Sequence, residues 1–247
     1  MKNSITYGEV RKHSLSGNKS ATISVLDRVF YRKIAAFITV ILINHTNIKP
    51  NKVTKISIVF SILGGIFLAQ SNSIQSYVFA ALMFNIYFLL DVVDGSLARV
   101  LETRGSFPLK SSDKIGKFYD ALAGYIFCSI FWSCLCINIF LNNKGDSIIF
   151  AGILTLSCAL LGRLIQAKYI VTVNQILPNT VLPKTHIEQS VIYKIFKNLE
   201  FGGFFGIFLF FLWIPSFKYA FVIFYMFFNL CILAKAIKDT WFEKYDL

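Results

Sequence analysis

Hydrophobic and polar positions occur in long blocks along this chain. Six runs are apolar over the length that crosses a bilayer as a helix, about 17–25 residues. They lie at 53–70, 77–98, 117–141, 147–170, 199–215 and 217–236. The pattern predicts an all-α polytopic membrane protein with six transmembrane helices.

The segment before the first run has a different pattern. Residues 26–46 begin amphipathic, with Arg28, Arg32 and Lys33 between apolar residues, and they end apolar. This pattern is typical of a helix that lies in the membrane interface, and the basic start argues against the alternative of a seventh span. We therefore expect a loose polar cytoplasmic tail over 1–25, an interfacial amphipathic helix over 26–46 and a six-helix domain over 47–240.

The amino-acid composition agrees with a membrane protein. Only 15% of the residues are charged, whereas a soluble domain carries about 25%, which excludes an ordinary soluble enzyme. The net charge of +12 would then face anionic lipid headgroups, so we expect membrane lipid and no nucleic acid as a partner. The many Lys, Asn and Ile residues favour a bacterial source and hence the inner (plasma) membrane.

The basic residues also predict an orientation. The short joints at 71–76, 142–147 and 214–218 hold only Lys144 and Lys218 of the 25 Lys and Arg residues. Because basic residues are enriched in cytoplasmic loops, both termini and the longer loops are expected in the cytoplasm. Those loops lie near 99–116 and 171–198.

Acidic residues at the ends of the second and third runs are the candidates for chemistry, since charges at membrane depth are costly and usually functional. Asp91 and Asp94 end the second run and, three residues apart, share one helix face. Like charges that close need a cation between them, and carboxylate oxygens suit Mg²⁺ or Mn²⁺. The alternative is a pair of helix-end carboxylates at a solvated loop.

Neighbouring residues extend this pair into a site. Gly95 allows a bulky group to approach the backbone, Ala98 keeps the helix face shallow, and Arg99 offers a forked phosphate contact. Asp120 follows in the next helix, and Gly116, one turn earlier, permits close helix approach. The set predicts a site for a metal and a diphosphate near the cytoplasmic surface.

These residues carry a family resemblance. DVVDGSLAR (91–99) and GKFYD (116–120) resemble the CDP-alcohol phosphotransferase (phosphatidyltransferase) signature, D-x2-D-G-x2-A-R followed after a spacer by G-x3-D-x3-D. NIKPNKVT (47–54) is similar to the segment that enters the first span in that family. The resemblance implies a six-span fold and the transfer of a substituted phosphoryl group from a CDP-activated lipid or alcohol to an acceptor alcohol or phosphate, with release of CMP.

The resemblance also implies roles for individual residues. Asp91, Asp94 and Asp120 would be ligands of Mg²⁺ or Mn²⁺, with Asp94 and Asp120 at the catalytic centre. Gly95, Ala98 and Arg99, beside Gly116, would line the nucleotide and diphosphate pocket. Asn51 and Thr54 either face the nucleotide or cap the first span. Family members are often dimers, so a homodimer is one assembly that the resemblance implies.

Two departures from the signature affect the prediction. The spacer between Arg99 and Gly116 is 16 residues long, longer than is usual. Gly124 stands where the family has its last Asp, the presumed general base. Two interpretations remain open: a catalytically silent member that binds a CDP-lipid or has a regulatory role, or an enzyme whose acceptor is already anionic and needs no base. His186, in the loop 171–198, is either a base or a solvated histidine.

Two polar residues inside the runs also have two interpretations each. Arg163 in the fourth run either binds an acceptor phosphate or headgroup, or reaches toward the interface. Asn85 in the second run either makes a helix–helix hydrogen bond, which is the more frequent use, or lines a pocket. A transporter with intramembrane acids is a further alternative, but these acids cluster at one interface and not at the midplane.

Overall fold

The structure is a computed structural model that describes residues 5–15, 27–104, 112–143, 146–176 and 204–241. Its regular elements are all helices. A π-helical turn, Asp27–Tyr31, leads directly into α2, and a 3-10 turn, Leu209–Phe211, continues α7. The α-helices are α1 Tyr7–Leu15, α2 Arg32–His45, α3 Pro50–Ala69, α4 Ile74–Thr103, α5 Ser112–Asn143, α6 Asp146–Ile176, α7 Phe205–Phe208 and α8 Pro215–Trp241.

Four of the described helices are long and apolar enough to cross a membrane: Pro50–Ala69, Ile74–Thr103, Phe118–Asn142 and Pro215–Ala234. The prediction of an all-helical, polytopic membrane protein is therefore confirmed. The fourth predicted span forms α6, whose described apolar part is the shorter Ile148–Gly162. The fifth, at 199–215, begins outside the described residues and continues as α7. These two spans stay predictions.

The helix boundaries follow from local sequence. Lys49 is extended, and Pro50 takes the first helical position of α3, where its missing N–H costs nothing. After α3 ends, the Ser73 hydroxyl accepts a hydrogen bond from the Ser76 backbone N–H at 3.4 Å and caps α4. This short turn folds α4 back along α3, so that the start of α3 lies beside the last part of α4.

Aromatic side chains fill the middle of the bundle. Phe131 of α5 is fully buried, and its ring centroid lies 5.1 Å from that of Phe205 in α7. Phe205 in turn lies 5.2 Å from Tyr225 of α8. Edge-to-face and stacked pairs at such distances add to the burial of apolar area. The short α7 therefore packs between α5 and α8 and contacts both helices.

Close helix contacts at two glycines fix α3 against its neighbours. A Cβ added at Gly64 would lie 2.8 Å from the Phe84 ring of α4, and one added at Gly65 would overlap Ile130 of α5. Only glycine permits the backbone to approach this closely. The three helices that later build the site are thus packed as one unit.

The expectation of a loose tail over 1–25 is wrong for residues 5–15. They contain α1, whose Val10 is fully buried. The Ile5 N–H donates to Asn44 Oδ1 at 2.9 Å, and Asn44 Nδ2 donates to the Ile5 carbonyl at 3.1 Å. Among the described side chains of this segment, the buried ones are Ile5 and Val10, and two apolar residues are too weak a pattern to be read from sequence.

The segment predicted as an interfacial helix forms the π-helical turn and α2. Its small residues Ala35, Ala36 and Thr39 are buried, whereas Phe37 and Ile41 are exposed on the outer side. An apolar outer face suits lipid contact, and the interfacial position itself stays a prediction.

A buried polar cluster lies at the end of the bundle opposite the acidic motif 91–99. Lys218, which the sequence places in a short polar joint, is only 3% exposed. Its ammonium donates to Tyr77 Oη at 2.6 Å and to Asn138 Oδ1 at 2.7 Å. Asn138 Nδ2 donates to the Ser71 carbonyl at 2.9 Å. The cluster ties the α3–α4 turn, α5 and α8 together.

Candidate active site

The candidate site forms where the start of α3, the last third of α4 and the start of α5 meet. At 1.5 Å per residue, the 30 residues of α4 span about 45 Å, whereas the hydrocarbon core is about 30 Å thick. The acidic motif occupies residues 91–99, near the end of α4. It therefore lies where the helix leaves the apolar layer.

Asp94 is the most buried acid of the motif, with 6% of its surface exposed. The Thr54 hydroxyl of α3 donates to Asp94 Oδ2 at 2.5 Å. A buried carboxylate is costly unless donors compensate for the lost water, and this one gains its donor from a neighbouring helix. Thr54, predicted from sequence as a nucleotide residue or a cap, thus holds Asp94 in place.

Asp120 and Arg99 flank this carboxylate, and both are close enough to interact with Asp94 electrostatically. Asp91 lies one turn before Asp94 and is half-buried. The two acids Asp94 and Asp120 repel each other unless a positive charge lies nearby. The structure therefore brings Asp120 and Arg99 close to Asp94.

The donor set fits a hard divalent cation. Among the described side chains, no three His, Cys, Asp or Glu residues are close enough together to hold a metal by themselves. In nucleotide sites, however, Mg²⁺ typically takes one or two protein carboxylates and completes its shell with substrate phosphates and water. Asp94 and Asp120 offer carboxylate oxygens that could act as such ligands, and Asp91 lies one turn before Asp94 on α4.

Gly95 and Arg99 form the wall next to Asp94. A Cβ at Gly95 would lie 3.7 Å from Arg99 Nη2, so the guanidinium group lies across the face that the missing side chain leaves open. Arg99 Nε is buried and has no hydrogen-bond partner in the described part of the chain. Ala98 is exposed beside it. A buried, unused donor next to an open backbone suits an anionic ligand.

The start of α5 is held against the start of α3. A Cβ at Gly116 would lie 3.8 Å from Asn51 Oδ1. One turn further along each helix, the Lys55 ammonium lies 5.5 Å from the Tyr119 ring centroid, a cation–π contact. Asn51 and Gly116, both predicted as pocket residues, are therefore neighbours across two helices.

Other predicted residues cannot be placed in this cluster. The Arg163 side chain and His186 lie outside the part of the chain that the structure describes. Gly124 lies on α5, four residues after Asp120, and thus about 6 Å further along the helix axis. Their predicted roles stay predictions.

The sequence did not reveal a second charged cluster beside Arg99. Arg32 Nε donates to Asp27 Oδ2 at 3.1 Å, and their side chains are only 14% and 16% exposed. Both residues interact electrostatically with Arg99. In the sequence, the basic residues of this segment indicate an interfacial amphipathic helix. The five-residue spacing of Asp27 and Arg32 matches a π-helical turn, which sequence periodicity does not suggest.

Tyr31 fastens this turn to α4. Its hydroxyl donates to Asn85 Oδ1, and Asn85 Nδ2 donates to the Gly206 carbonyl at 3.1 Å. Burial, with a smaller effect from the negative charge of Asp27, raises the pKa of Tyr31 to about 12, so the phenol stays a neutral donor. The prediction that Asn85 makes a helix–helix hydrogen bond is confirmed.

The fold and the site define a polytopic membrane protein with a carboxylate and arginine cluster where its helices leave the apolar layer. The family model of CDP-alcohol phosphatidyltransferase matches residues 47–237, and the chain belongs to that family. It is therefore a transferase, of a family that transfers a phosphatidyl group from a CDP-alcohol and uses divalent metals. The chain matches no curated protein. The resemblance noted in the sequence is thus confirmed.

Proposed function

We propose that this protein catalyses a divalent-metal-dependent transfer of a substituted phosphoryl group from a CDP-activated lipid alcohol to an acceptor, with release of CMP. The observation that carries the proposal is Asp94, a buried carboxylate held by Thr54 and flanked by Asp120 and Arg99. The site would face the cytoplasm of a bacterial inner membrane, with both termini on that side and six spans in all. The reaction would belong to phospholipid or glycolipid synthesis.

The acids would hold the metal and the donor diphosphate between them. Asp91, Asp94 and Asp120 offer carboxylate oxygens suited to Mg²⁺ or Mn²⁺. When bound, the metal would offset the negative charge that develops on the CMP leaving group. The hydrogen bond from Thr54 to Asp94 Oδ2 would hold this carboxylate in a fixed orientation for ligation.

The remaining pocket residues would bind and orient the nucleotide. Arg99 would bind diphosphate oxygens, since a guanidinium group forms forked contacts with phosphate. The small residues Gly95 and Ala98 leave room for the ligand against α4. Asn51 and Gly116 would line the side formed by α3 and α5, where a Cβ at Gly116 would lie 3.8 Å from Asn51 Oδ1.

The acceptor determines whether a general base is needed. Gly124 offers no carboxylate, so an acceptor hydroxyl would need a base from elsewhere, whereas an acceptor phosphate would attack without one. Arg163 remains a candidate for binding such an acceptor. The alternative is a catalytically silent member that binds a CDP-lipid or a partner enzyme. Under both interpretations, the acids and Arg99 would bind the CDP-activated ligand.

CMP release from membranes tests the proposal. Membranes carrying the protein would receive CDP-diacylglycerol, Mg²⁺ or Mn²⁺ and a cell extract as acceptor source. Asp94→Asn should lower CMP release by about 100-fold or more, the scale expected when electrostatic stabilisation is lost at a reacting centre. The matched control is Glu102→Gln, which removes an exposed carboxylate from the same helix and should leave the rate unchanged.

The other outcomes separate the alternatives. Equal CMP release by Asp94→Asn and the original protein would contradict the proposed site. Metal-dependent CDP binding without any CMP release would favour the silent member. In that case Gly124→Asp would be expected to restore release if the missing base is the reason.

A further inference from the structure

A charged cluster outside the family-matched region reaches into the candidate site. Asp27 and Arg32 precede the matched residues 47–237, yet both interact electrostatically with Arg99 of the acidic motif. The Asp27–Arg32 ion pair is 3.1 Å long and largely shielded from solvent. A basic residue that only contacts lipid headgroups would not need to be held in this way.

The position of Arg32 relative to Arg99 is set by several contacts. The neighbouring Tyr31 is 2% exposed and is hydrogen-bonded to Asn85 of α4. Its ring also meets Phe88 of α4 edge to face, with 6.4 Å between the centroids. One turn later, Ala35 is fully buried. These contacts fix the π-helical turn on the same helix that carries Arg99.

Two half-buried guanidinium groups lie near each other here, and the carboxylates of Asp27 and Asp94 offset part of their mutual repulsion. Arg32 donates through its Nε to one oxygen of Asp27. Arg99 keeps a buried Nε with no hydrogen-bond partner among the described residues. A phosphate group carries enough charge and enough acceptor oxygens to bridge two arginines.

We propose that Arg32 and Arg99 together bind one substrate phosphate group, so that the turn Asp27–Tyr31 and the start of α2 form part of the substrate site. Asp27 is a positioning residue that holds the Arg32 guanidinium group toward Arg99. The inference rests on the proposed function and adds a substrate-binding residue to it. The phosphate belongs either to the diphosphate of the CDP-activated donor or to a phosphorylated acceptor.

Equilibrium binding to the full-length protein in nanodiscs tests the proposal without requiring turnover. The probes are CDP with Mn²⁺, and inorganic phosphate added in the presence of saturating CDP and Mn²⁺. Arg32→Gln should weaken one of the two affinities by about 10- to 100-fold, the value of a charge-assisted hydrogen bond. Lys33→Gln removes the same charge from the adjacent, exposed residue and should change both affinities less than about twofold.

The affected probe identifies the source of the phosphate. Weaker CDP binding assigns it to the donor diphosphate, and weaker inorganic phosphate binding with unchanged CDP binding assigns it to the acceptor. If Arg32→Gln folds poorly, Arg32→Lys keeps the charge, loses the fork, and should give an intermediate loss of the same affinity. Unchanged affinities for both probes in Arg32→Lys and Arg32→Gln would overturn the proposal.

If Arg32 only contacts lipid headgroups, a different result is expected. In that case Arg32→Gln would alter only the dependence of stability on the phosphatidylglycerol content of the nanodisc, and the proposal would be overturned. The result is also separable from the proposed function. Binding that depends on Arg32 in a protein that releases no CMP would leave this inference intact and refute the proposed catalysis.

Discussion

Replacement of Thr54 by valine isolates the contact that orients the central carboxylate. Valine keeps the shape and the β-branch of threonine but removes the hydroxyl group that donates to Asp94 at 2.5 Å. Thr54 is 4% exposed and Asp94 is 6% exposed, so water does not readily replace the lost donor. A hydrogen bond to a charged group contributes about 1.5–3 kcal/mol.

The expected effect appears in the metal dependence. Loss of a residue that orients a metal ligand typically lowers metal affinity or activity about 10- to 100-fold, which agrees with the hydrogen-bond energy at about 1.4 kcal/mol per factor of ten. Thr54→Val should therefore raise the Mn²⁺ concentration for half-maximal CMP release by that factor. Thr54→Ser restores the hydroxyl group and should recover most of the lost affinity.

The matched control is Thr39→Val. Thr39 is also fully buried, but its hydroxyl donates at 2.7 Å to the Ala35 carbonyl of its own helix, far from any acid of the motif in sequence. The same change of side chain should therefore leave the metal dependence unchanged. Equal Mn²⁺ dependence in Thr54→Val and Thr39→Val would refute the view that Thr54 orients a metal-binding carboxylate.

Further predictions concern stability, measured as the free energy of unfolding or the thermal midpoint of the full-length protein. Gly65→Ala should cost about 1–3 kcal/mol because the new methyl group overlaps Ile130 of α5, whereas Gly8→Ala, with nothing within 4 Å, should stabilise by up to about 1 kcal/mol. Asn138→Leu should destabilise the protein by about 1–3 kcal/mol, because it leaves a buried lysine without one acceptor; no change would show that water enters this cluster. Because the pKa of Tyr31 is raised to about 12 in the folded protein, its contribution to stability is complete below pH 10 and is lost as the pH rises from 10 toward 12. Tyr31→Phe should therefore lose less free energy of unfolding over that pH range.

The parts of the site that lie close together in sequence were the most predictable. Asp91, Asp94, Gly95 and Arg99 lie within nine residues of one helix, so helical periodicity alone places them on neighbouring faces. Their grouping with Asp120 was also predictable, because consecutive antiparallel helices return to the same membrane side.

Contacts between distant segments were less predictable. Asn51 and Thr54 had two interpretations at the sequence level, and the structure shows that Thr54 holds Asp94 across 40 residues. Such a pairing depends on how α3 packs on α4, where Gly64 allows close approach to Phe84. A hydroxyl inside an apolar run has no periodicity that reveals its partner.

The turn before α2 shows a different limit of sequence reasoning. Its basic residues match the pattern of an interfacial helix, and that pattern does not distinguish a residue facing lipid from one facing the site. Arg32 is distinguished from Lys33 by its ion pair with Asp27 and by burial, which the sequence does not contain. Position in the fold, and not residue type, separates the half-buried Arg32 near the site from the exposed Lys33.

Position in the fold also matters for residue 124, where the family signature has an aspartate and this chain has glycine. An aspartate there would lie about 6 Å from Asp120 along the axis of α5, at a half-buried position of an apolar helix. A charge at that depth would need its own partner, whereas glycine needs none. Arg32 forms an ion pair with Asp27, and Arg99 interacts electrostatically with Asp27 and Asp94. If Arg32 and Arg99 bind a substrate phosphate as proposed, the absence of a carboxylate at position 124 favours an anionic acceptor over a neutral alcohol.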